Sequence, residues 1–212
     1  MNPKKLVILG ATGGTGQQLV RQGLEAGHEI SAFVRTPAKL PVQHACLQVV
    51  IGTLPDNEAT LAAAARGKDA VISAPGRGTS LTSTGLIQRS VPAILSAVLA
   101  SGVSRLILTS VIGVGDSVRE APLFSRVLIR LLLKDIYADK AAGEDLIRSC
   151  RLNWTIVQPA QLTNGPITGT YRVGEHLTLR GMPTIGRADL AHFMLSLLDD
   201  TAYVGKIVRI GY

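Results

Sequence analysis

Aromatic residues are scarce in this sequence, and so are concentrated runs of positive charge. Phe, Trp and Tyr make up 4% of the 212 residues, which leaves few side chains to stack on nucleic-acid bases. The formal net charge is +7, but the Lys and Arg residues are scattered along the chain and form no basic run. We therefore expect no nucleic-acid partner, and binding of anionic small molecules explains the positive charge more simply.

Cysteine is limited to Cys46 and Cys150, which lie far apart and belong to no metal-binding spacing. A disulfide framework or a zinc site is therefore not expected, and both side chains are interpreted as small buried hydrophobic groups. The four histidines show no ligand spacing with each other or with carboxylates, so the sequence predicts no metal. These histidines are His28, His44, His176 and His192.

Long hydrophobic runs are lacking as well. The longest apolar stretches, such as residues 91–100, are much shorter than the roughly 20 residues that a membrane-spanning helix needs. The apolar residues 6–9 follow Lys4 and Lys5 but are too few for the apolar segment of a secretory signal. We expect a cytoplasmic protein without a membrane partner.

The sequence does contain a regular alternation of strand-like and helix-like segments. Short, nearly continuous apolar runs are typical of parallel strands that are covered on both faces. Gly27, Gly67 and Gly102 follow helical segments, as expected of glycines at helix C-termini. The alternation predicts an α/β fold with a doubly wound parallel sheet, the Rossmann fold. The predicted strands are residues 5–9, 29–34, 46–51, 69–74, 105–110, 154–158 and 206–210, and the predicted helices are residues 14–26, 57–65, 85–101, 123–148 (broken) and 187–198.

The length of the chain fits one domain, which we place over residues 1–212. Pro92 lies inside the third helical segment, which either starts afresh there or is kinked. Residues 160–186 depart from the alternation because they are rich in Gly, Thr and Pro and follow a core strand. We expect this segment to form a small C-terminal cap region over the site.

A glycine-rich turn joins the first strand to the first helix in the string KLVILGATGGTGQQLV. Gly10, Gly13 and Gly16 lack a Cβ atom, which permits a tight turn and the close approach of a pyrophosphate. Backbone N–H groups at the start of the helix supply an anion site. The G-x-x-G-x-x-G spacing alone also suits an ordinary loop, but between a strand and an amphipathic helix it predicts a dinucleotide site.

The end of the second strand indicates which dinucleotide binds. NAD-selective Rossmann proteins carry an acidic residue about twenty positions beyond the glycines, whereas this sequence has Arg35 and Thr36, followed by Lys39. Arg35 can lie against the adenine and pair with a 2′-phosphate, while Thr36 and Lys39 add a hydroxyl and a second cation. We therefore predict NADP(H) as the cofactor, and the alternative interpretation is an ordinary solvated basic loop.

Five segments in order give the chain a likeness to a known group over nearly its full length: the glycine turn, VRTPAKL, DAVISAPG, LILTS and EDLIRSCRLNWTIVQPA. They resemble the atypical short-chain dehydrogenase/reductase families. Within that group, GPITGTYRV and IGRADLAHFML are most similar to the NADPH-dependent flavin reductases that are also called biliverdin-IXβ reductases. The resemblance implies hydride transfer from NADPH to an oxidised flavin (FMN or riboflavin) or to a linear tetrapyrrole such as biliverdin. It also implies a monomer with an open, permissive pocket.

The resemblance also implies positions in the site. Thr53 and Gln161 depart from the pattern, which has an aspartate near the adenine and a histidine near the substrate, and the second departure weakens any proposal of histidine acid catalysis. The implied contacts are Thr12, Gly13, Gly14 and Thr15 at the pyrophosphate, Thr53 and Leu54 at the adenine, Ala74, Pro75 and Gly76 under the ribose, and Ser110 and Pro159 beside the nicotinamide.

The Tyr-x-x-x-Lys pair that reductases of the wider superfamily use for proton transfer is missing. Tyr137 stands three residues before Lys140, and Ile136 occupies the fourth position. Lysines at the position of Lys140 bind the nicotinamide ribose in the wider superfamily, and surface solvation is the equal alternative here. Reduction of a flavin or a bilin needs chiefly alignment of the nicotinamide with an electrophilic centre, so the missing pair agrees with the resemblance.

Ser110 is the candidate catalytic residue because it ends a buried strand at the edge where open α/β sheets bind ligands. Its hydroxyl can orient the nicotinamide amide or the acceptor, although a plain strand-end serine is the alternative. Arg77 is a candidate for cofactor phosphates or substrate carboxylates, and Gln161 for the substrate.

The sequence is consistent with two different functions. The leading hypothesis is an NADPH-dependent reductase acting on a flavin or on biliverdin. The alternative is a non-catalytic NADP(H)-binding redox sensor that acts through a protein partner, which the missing Tyr/Lys pair also suits. A sugar-nucleotide or alcohol oxidoreductase is disfavoured by that missing pair.

Overall fold

A computed structural model describes residues 2–75, 86–112, 134–179 and 181–212 of the chain. The strands in these ranges are β1 Lys5–Leu9, β2 Glu29–Val34, β3 Leu47–Ile51, β4 Ala70–Ser73, β5 Arg105–Thr109, β6 Asn153–Pro159, β7 Gln161–Thr163, β8 Arg172–Gly174, β9 Thr184–Gly186 and β10 Lys206–Gly211. The helices are α1 Gly14–Glu25, α2 Glu58–Ala65, α3 Leu86–Ser101, α4 Lys134–Arg148 and α5 Arg187–Ser196, and a short 3₁₀ turn covers Pro37–Lys39. All seven predicted strands are confirmed, and no end differs from its predicted position by more than one residue.

Eight strands form one sheet in the order β3-β2-β1-β4-β5-β6-β10-β8. The pairs from β3 to β10 are parallel, and only the edge strand β8 runs antiparallel, against β10. The strand order reverses between β1 and β4, so the loops after these strands diverge and leave a crevice at the carboxyl edge of the sheet. The doubly wound α/β fold predicted from the sequence is therefore confirmed.

The sheet is covered on both faces by separate cores. Helices α1 and α5 pack on one face, and α2, α3 and α4 pack on the other. Alternate residues of β1 serve the two cores, because Leu6 and Ile8 belong to the first and Val7 and Leu9 to the second. A parallel strand that is buried on both faces needs apolar residues at every position, which explains the continuous hydrophobic runs in the sequence.

Helices α1, α2 and α3 end just before the glycines that the sequence indicated as their C-termini. Gly27, Gly67 and Gly102 have φ angles of +83°, +68° and +81°, in the left-handed region that closes helices. Pro92 lies within α3, which continues through it from Leu86 to Ser101. Of the predicted helix over residues 123–148, the part from Lys134 onward is confirmed as α4, and residues 123–133 lie outside the described residues. In the part of the chain that the structure describes, no helix has the length and apolar character needed to cross a lipid bilayer.

The interpretation of both cysteines as buried groups was wrong. Cys46 is exposed because it precedes β3, an edge strand that has a neighbour on one side only. Cys150 is half-buried in the turn after α4, where it packs at the margin of the core that α2, α3 and α4 cover.

The segment predicted as a cap region divides between two sheets. Strands β7 and β9 pair in parallel as a small two-stranded sheet beyond the carboxyl end of β6. Strand β8, from the same segment, instead extends the main sheet at its edge. The middle of the cap region, strand β8, is therefore hydrogen-bonded to the main sheet.

A half-buried arginine at the amino edge of the sheet supports the fold far from the crevice. The Arg105 guanidinium donates to the Leu197 carbonyl just after α5 (2.9 Å from Nη2) and to the Asn153 carbonyl (2.8 Å from Nη1) at the start of β6. Burial lowers the pKa of Arg105 to about 10, so the guanidinium stays charged at neutral pH.

We expect Arg105→Met to lower the free energy of unfolding by about 2–3 kcal/mol, because it leaves these carbonyls without charged donors. Arg105→Lys should lose part of that stability, since one ammonium cannot replace the forked contacts. Urea unfolding of both variants measures the effect, and NADPH affinity should stay at the wild-type value. A Met variant with the wild-type unfolding midpoint would contradict the expectation.

Candidate cofactor and active site

The glycine-rich turn is shaped by contacts within the chain itself. Gly10 has a φ of +75°, and a Cβ atom there would lie 2.5 Å from the carbonyl oxygen of Ala74. A Cβ on Gly16 would lie 2.0 Å from the Gly10 carbonyl oxygen. The Gly13 amide donates to that same carbonyl (2.9 Å) and closes the turn. Gly10 and Gly16 are thus required by backbone packing before any ligand is considered.

The first turn of α1 provides a cradle for an anion. The helix begins at Gly14 after the extended Gly13, which has no side chain to cap the first amides. The first turn carries no acidic residue, and Gly14 is exposed, whereas Thr15 is buried against the core. The amides and the positive end of the helix dipole therefore face a space suited to a phosphate group.

One cleft of about 420 Å³ runs along the carboxyl edge of the sheet, from the ends of β3 and β2 past β1 and β4 to the end of β5. Of the residues predicted from the sequence, it is lined by Gly10, Thr12, Gly13, Arg35, Lys39, Thr53, Leu54, Pro75 and Ser110. The cleft therefore brings together residues from five separate loops. This convergence follows from the topology, because all these loops leave the same edge of the sheet.

The end of the cleft at β2 and β3 is basic. Arg35 and Lys39 are exposed, and neither forms an ion pair among the described residues. The Phe33 ring lies over Gly52, where a Cβ atom would be 2.3 Å from Cζ, and supplies an aromatic wall beside Thr53. Two cations, an aromatic side and apolar contacts suit a phosphorylated adenosine.

The opposite end of the cleft is lined largely by apolar side chains and contains a hydroxyl that has no partner within the described ranges. Ser110 is 7% exposed, and its amide donates to the Val157 carbonyl (2.8 Å), which fixes the backbone beside β6. Its buried Oγ has no hydrogen-bond partner among the described residues. A buried hydroxyl is costly to leave unsatisfied, so its position on the cleft suits a polar ligand group such as a carboxamide. The anion cradle and this hydroxyl together fit a nicotinamide dinucleotide.

A buried carboxylate at this end was missed by the sequence analysis. Glu144 on α4 is 5% exposed and lines the cleft. The Nε2 of Gln158 on β6 donates to both of its carboxylate oxygens, at 3.1 and 3.4 Å. A glutamate in an amphipathic helix is usually interpreted as a solvated residue, and only the packing of α4 over the sheet reveals its burial. Ser90 and Thr109 also line the cleft and were not singled out.

Several predicted residues lie elsewhere or outside the described ranges. Ala74 is buried behind the cleft, and its amide donates to the Leu9 carbonyl (3.0 Å). Thr36 is exposed, Pro159 is buried at the end of β6, and Gln161 is exposed at the start of β7; none of the three lines the cleft. The roles of Gly76, Arg77 and the side chains of Tyr137 and Lys140 stay predictions, because they lie outside what the structure describes.

The fold and the cleft define a Rossmann-type dinucleotide-binding protein. Residues 10–201 match the model of a family described as NAD(P)H-binding. The chain therefore belongs to this NAD(P)H-binding family, and the nicotinamide dinucleotide expected from the glycine turn is confirmed. An uncharacterized sugar epimerase of Bacillus subtilis, YhfK, is 30% identical over 201 residues, which cover 92% of this chain and 88% of that protein.

Solved structures agree on the architecture. A short-chain dehydrogenase/reductase of Veillonella parvula in complex with NADP superposes with a TM-score of 0.83 at 20% identity, covering 99% of this chain and 94% of that one. ChuY, an anaerobillin reductase from Escherichia coli O157:H7, gives a TM-score of 0.76 at 20% identity, covering 97% and 96%. These structures show the same fold, and the family model together with the 30% identical relative confirms the resemblance stated from the sequence at the level of an oxidoreductase/epimerase-like NAD(P)H-binding family.

Proposed function

We propose that this protein is an NADPH-dependent reductase that transfers hydride to a planar acceptor, either a flavin such as FMN or riboflavin, or biliverdin. One observation carries the proposal. A single cleft is lined by Gly10, Thr12 and Gly13 of the glycine turn, by two cations at one end, and by the Ser110 hydroxyl at the other. Within the part of the chain that the structure describes, the cations form no ion pair and the hydroxyl has no hydrogen-bond partner. The cations would accept the 2′-phosphate, and the hydroxyl would orient the nicotinamide.

The walls of the cleft favour an apolar, planar acceptor. At the Ser110 end they are formed mainly by aliphatic side chains, among them Val91 and Ile94 of α3 and Ile147 of α4, with the Glu144 carboxylate as the one ionised group described there. Apolar walls with few polar groups bind flat conjugated ligands by burial and leave their identity loosely specified. The anaerobillin reductase named above acts, by its name, on a bilin, which supports the same class of acceptor here.

The catalytic task of the protein residues is alignment. When bound, NADPH would supply a hydride to the acceptor, and the acceptor would take up one proton from solvent. The amides of Gly13 to Thr15, at the start of α1, would hold the pyrophosphate. Ser110 would fix the carboxamide plane, and the aliphatic walls would limit access of water. No ionisable side chain has to supply the proton in this scheme, which agrees with the missing Tyr-x-x-x-Lys pair.

The direct test is the loss of NADPH absorbance on addition of FMN, riboflavin or biliverdin, each as a separate acceptor, with NADPH affinity measured by calorimetry in parallel. We expect turnover, and we expect Ser110→Ala to lower kcat/KM by about 10- to 100-fold through lost alignment. Ser101→Ala is the matched control, because Ser101 Oγ donates to the Val98 carbonyl in α3 and does not line the cleft. Tight NADPH binding without turnover on any acceptor would reject the reductase and favour the sensor.

The basic end of the cleft carries a prediction on cofactor choice. We expect Arg35→Gln to weaken NADPH binding by about 10-fold or more and to leave NADH binding nearly unchanged, because a guanidinium–phosphate pair is a strong charge-assisted contact. Arg21→Gln is the matched control, since Arg21 is exposed on α1 and does not line the cleft. Calorimetric titration of both cofactors measures the ratio, and an unchanged preference for NADPH would remove Arg35 from the 2′-phosphate site.

A further inference from the structure

A side chain from the last helix lies over the glycine turn. Arg187 is the first residue of α5, immediately after β9 at the carboxyl edge of the sheet. Its Cδ and Nε atoms lie 2.7 and 2.9 Å from the position that a Cβ on Gly14 would occupy. The absence of a side chain at Gly14 therefore makes room for the Arg187 side chain. At Gly10, Gly13 and Gly16, the other glycines of the turn, a Cβ atom would instead meet backbone atoms.

The guanidinium of Arg187 is oriented but not neutralised. Its Nη1 donates to Oδ1 of Asn164 (2.8 Å), in the cap region after β7. Among the described residues Arg187 forms no ion pair. The carboxylate of Asp189, two residues further along α5, forms no ion pair with Arg187 and instead accepts hydrogen bonds from Tyr212, Thr168 and Gly169.

We propose that Arg187 is a phosphate-binding residue of this site and contacts the pyrophosphate of the cofactor across the first turn of α1. A pyrophosphate brings two negative charges, while the helix N-terminus offers a partial charge of about one half. A guanidinium beside the exposed Gly14 supplies the missing positive charge and N–H donors. The inference rests on the part of the proposed function that names the cofactor, and it does not depend on which acceptor is reduced.

The proposal assigns the two anionic groups of NADPH to two different arginines. Arg35, which follows β2 and lines the cleft, would contact the 2′-phosphate, and Arg187, which lies against Gly14 at the start of α1, would contact the pyrophosphate. Ligands that carry only one of these groups therefore separate the two roles. NADH has the pyrophosphate alone, and adenosine 2′-monophosphate has the 2′-phosphate alone.

The experiment measures equilibrium binding to Arg187→Met, which keeps an unbranched apolar stem against Gly14. We expect it to bind NADPH and NADH each about 10-fold more weakly and adenosine 2′-monophosphate, measured by competition, with unchanged affinity. Arg35→Gln should weaken the binding of NADPH and of adenosine 2′-monophosphate and leave NADH binding unaffected. The affinity lost by Arg187→Met should also shrink as salt is raised, because the contact is electrostatic.

Two results would overturn the proposal: NADPH and NADH affinities within twofold of wild type, or an equal loss for all three ligands, which would indicate a general distortion of the turn. The unfolding midpoint in urea, without ligand, identifies such a distortion independently. Arg187→Lys, which keeps a positive charge, should lose less affinity for NADH than the Met variant. If the Met variant does not fold, the Lys variant is compared with wild type instead. A protein that binds both cofactors as expected but reduces no acceptor would reject the reductase and leave this assignment standing.

Discussion

Gly16→Ala is expected to destabilise the protein by about 3 kcal/mol or more and to lower NADPH affinity at least about 100-fold. Gly16 lies in the first turn of α1, where alanine is intrinsically a better helix former by about 1 kcal/mol. Sterics reverse that preference, because the new Cβ would lie 2.0 Å from the Gly10 carbonyl oxygen and 2.7 Å from the Ala11 Cα. Both neighbours are backbone atoms that no change of rotamer can move away.

The helix cannot shift to relieve this clash. Its inner face, with Leu19 and Val20 fully buried, is packed into the core that α1 and α5 cover. The turn must therefore open, and opening it removes the amides of Gly13 to Thr15 from the phosphate site. Loss of stability and loss of affinity have one cause here and should appear together.

Urea unfolding and calorimetric titration with NADPH measure the two effects. Gly165→Ala is the matched control, because a Cβ at that position meets nothing within 4 Å and the backbone does not require glycine. It should stay within about 0.5 kcal/mol of wild type, as surface substitutions usually do. If Gly16→Ala unfolds at the wild-type midpoint and still binds NADPH, the packing account of the turn fails.

The turn and the parallel strands could be predicted from the sequence because their signals are local. Buried parallel strands need unbroken apolar runs, and the turn after β1 shows its glycines within seven residues, Gly10 to Gly16. Even the gathering of Arg35, Thr53 and Ser110 in one cleft follows from a local rule, since strand ends of a parallel sheet share one edge.

The contacts that the sequence did not reveal join residues distant along the chain. The burial of Glu144 depends on how α4 lies over the sheet, and the position of Arg187 on Gly14 depends on the approach of α5 to α1. Neither residue stands in a motif that marks its role. The exposure of Cys46 likewise depends on β3 being an edge strand, which apolar composition alone does not indicate.

Sequence patterns were least informative in the cap region. One buried carboxylate makes several of the hydrogen bonds that hold this region in place. Asp189 on α5 is fully buried. It accepts hydrogen bonds from the Tyr212 hydroxyl (2.6 Å), the Thr168 hydroxyl (2.8 Å) and the amides of Thr168 and Gly169 (2.8 Å each). One side chain thus ties the cap region and the last residue of the chain to helix α5.

Removal of this carboxylate is the second large effect that we expect. Asp189→Ala should lower the free energy of unfolding by about 2–3 kcal/mol, because it leaves two amides and two hydroxyls without the acceptor that they share at a partly buried junction. Tyr212→Phe, which deletes only one of the hydrogen bonds, should cost about 1–2 kcal/mol. Urea unfolding measures both, and equal losses for the two variants would show that the amides contribute nothing.

The same network makes the stability of the protein depend on pH. Burial alone would raise the pKa of Asp189, but the hydrogen bonds from Tyr212, Gly169 and Thr168 together outweigh it and lower the pKa below its ordinary value of 3.8. The contribution of Asp189 is therefore complete above about pH 3.8 and is lost as the pH falls through the lower value of the folded state.

Asp189→Asn should thus be least stable relative to wild type at neutral pH, and the difference should narrow as the pH falls below 4. Unfolding midpoints of the two proteins between neutral and strongly acidic pH measure this convergence. Parallel curves would mean that Asp189 is not ionised in the folded state. Because Asn164, the partner of Arg187, lies in the cap region that Asp189 secures, the Asn variant should also show whether the cap region influences NADPH affinity.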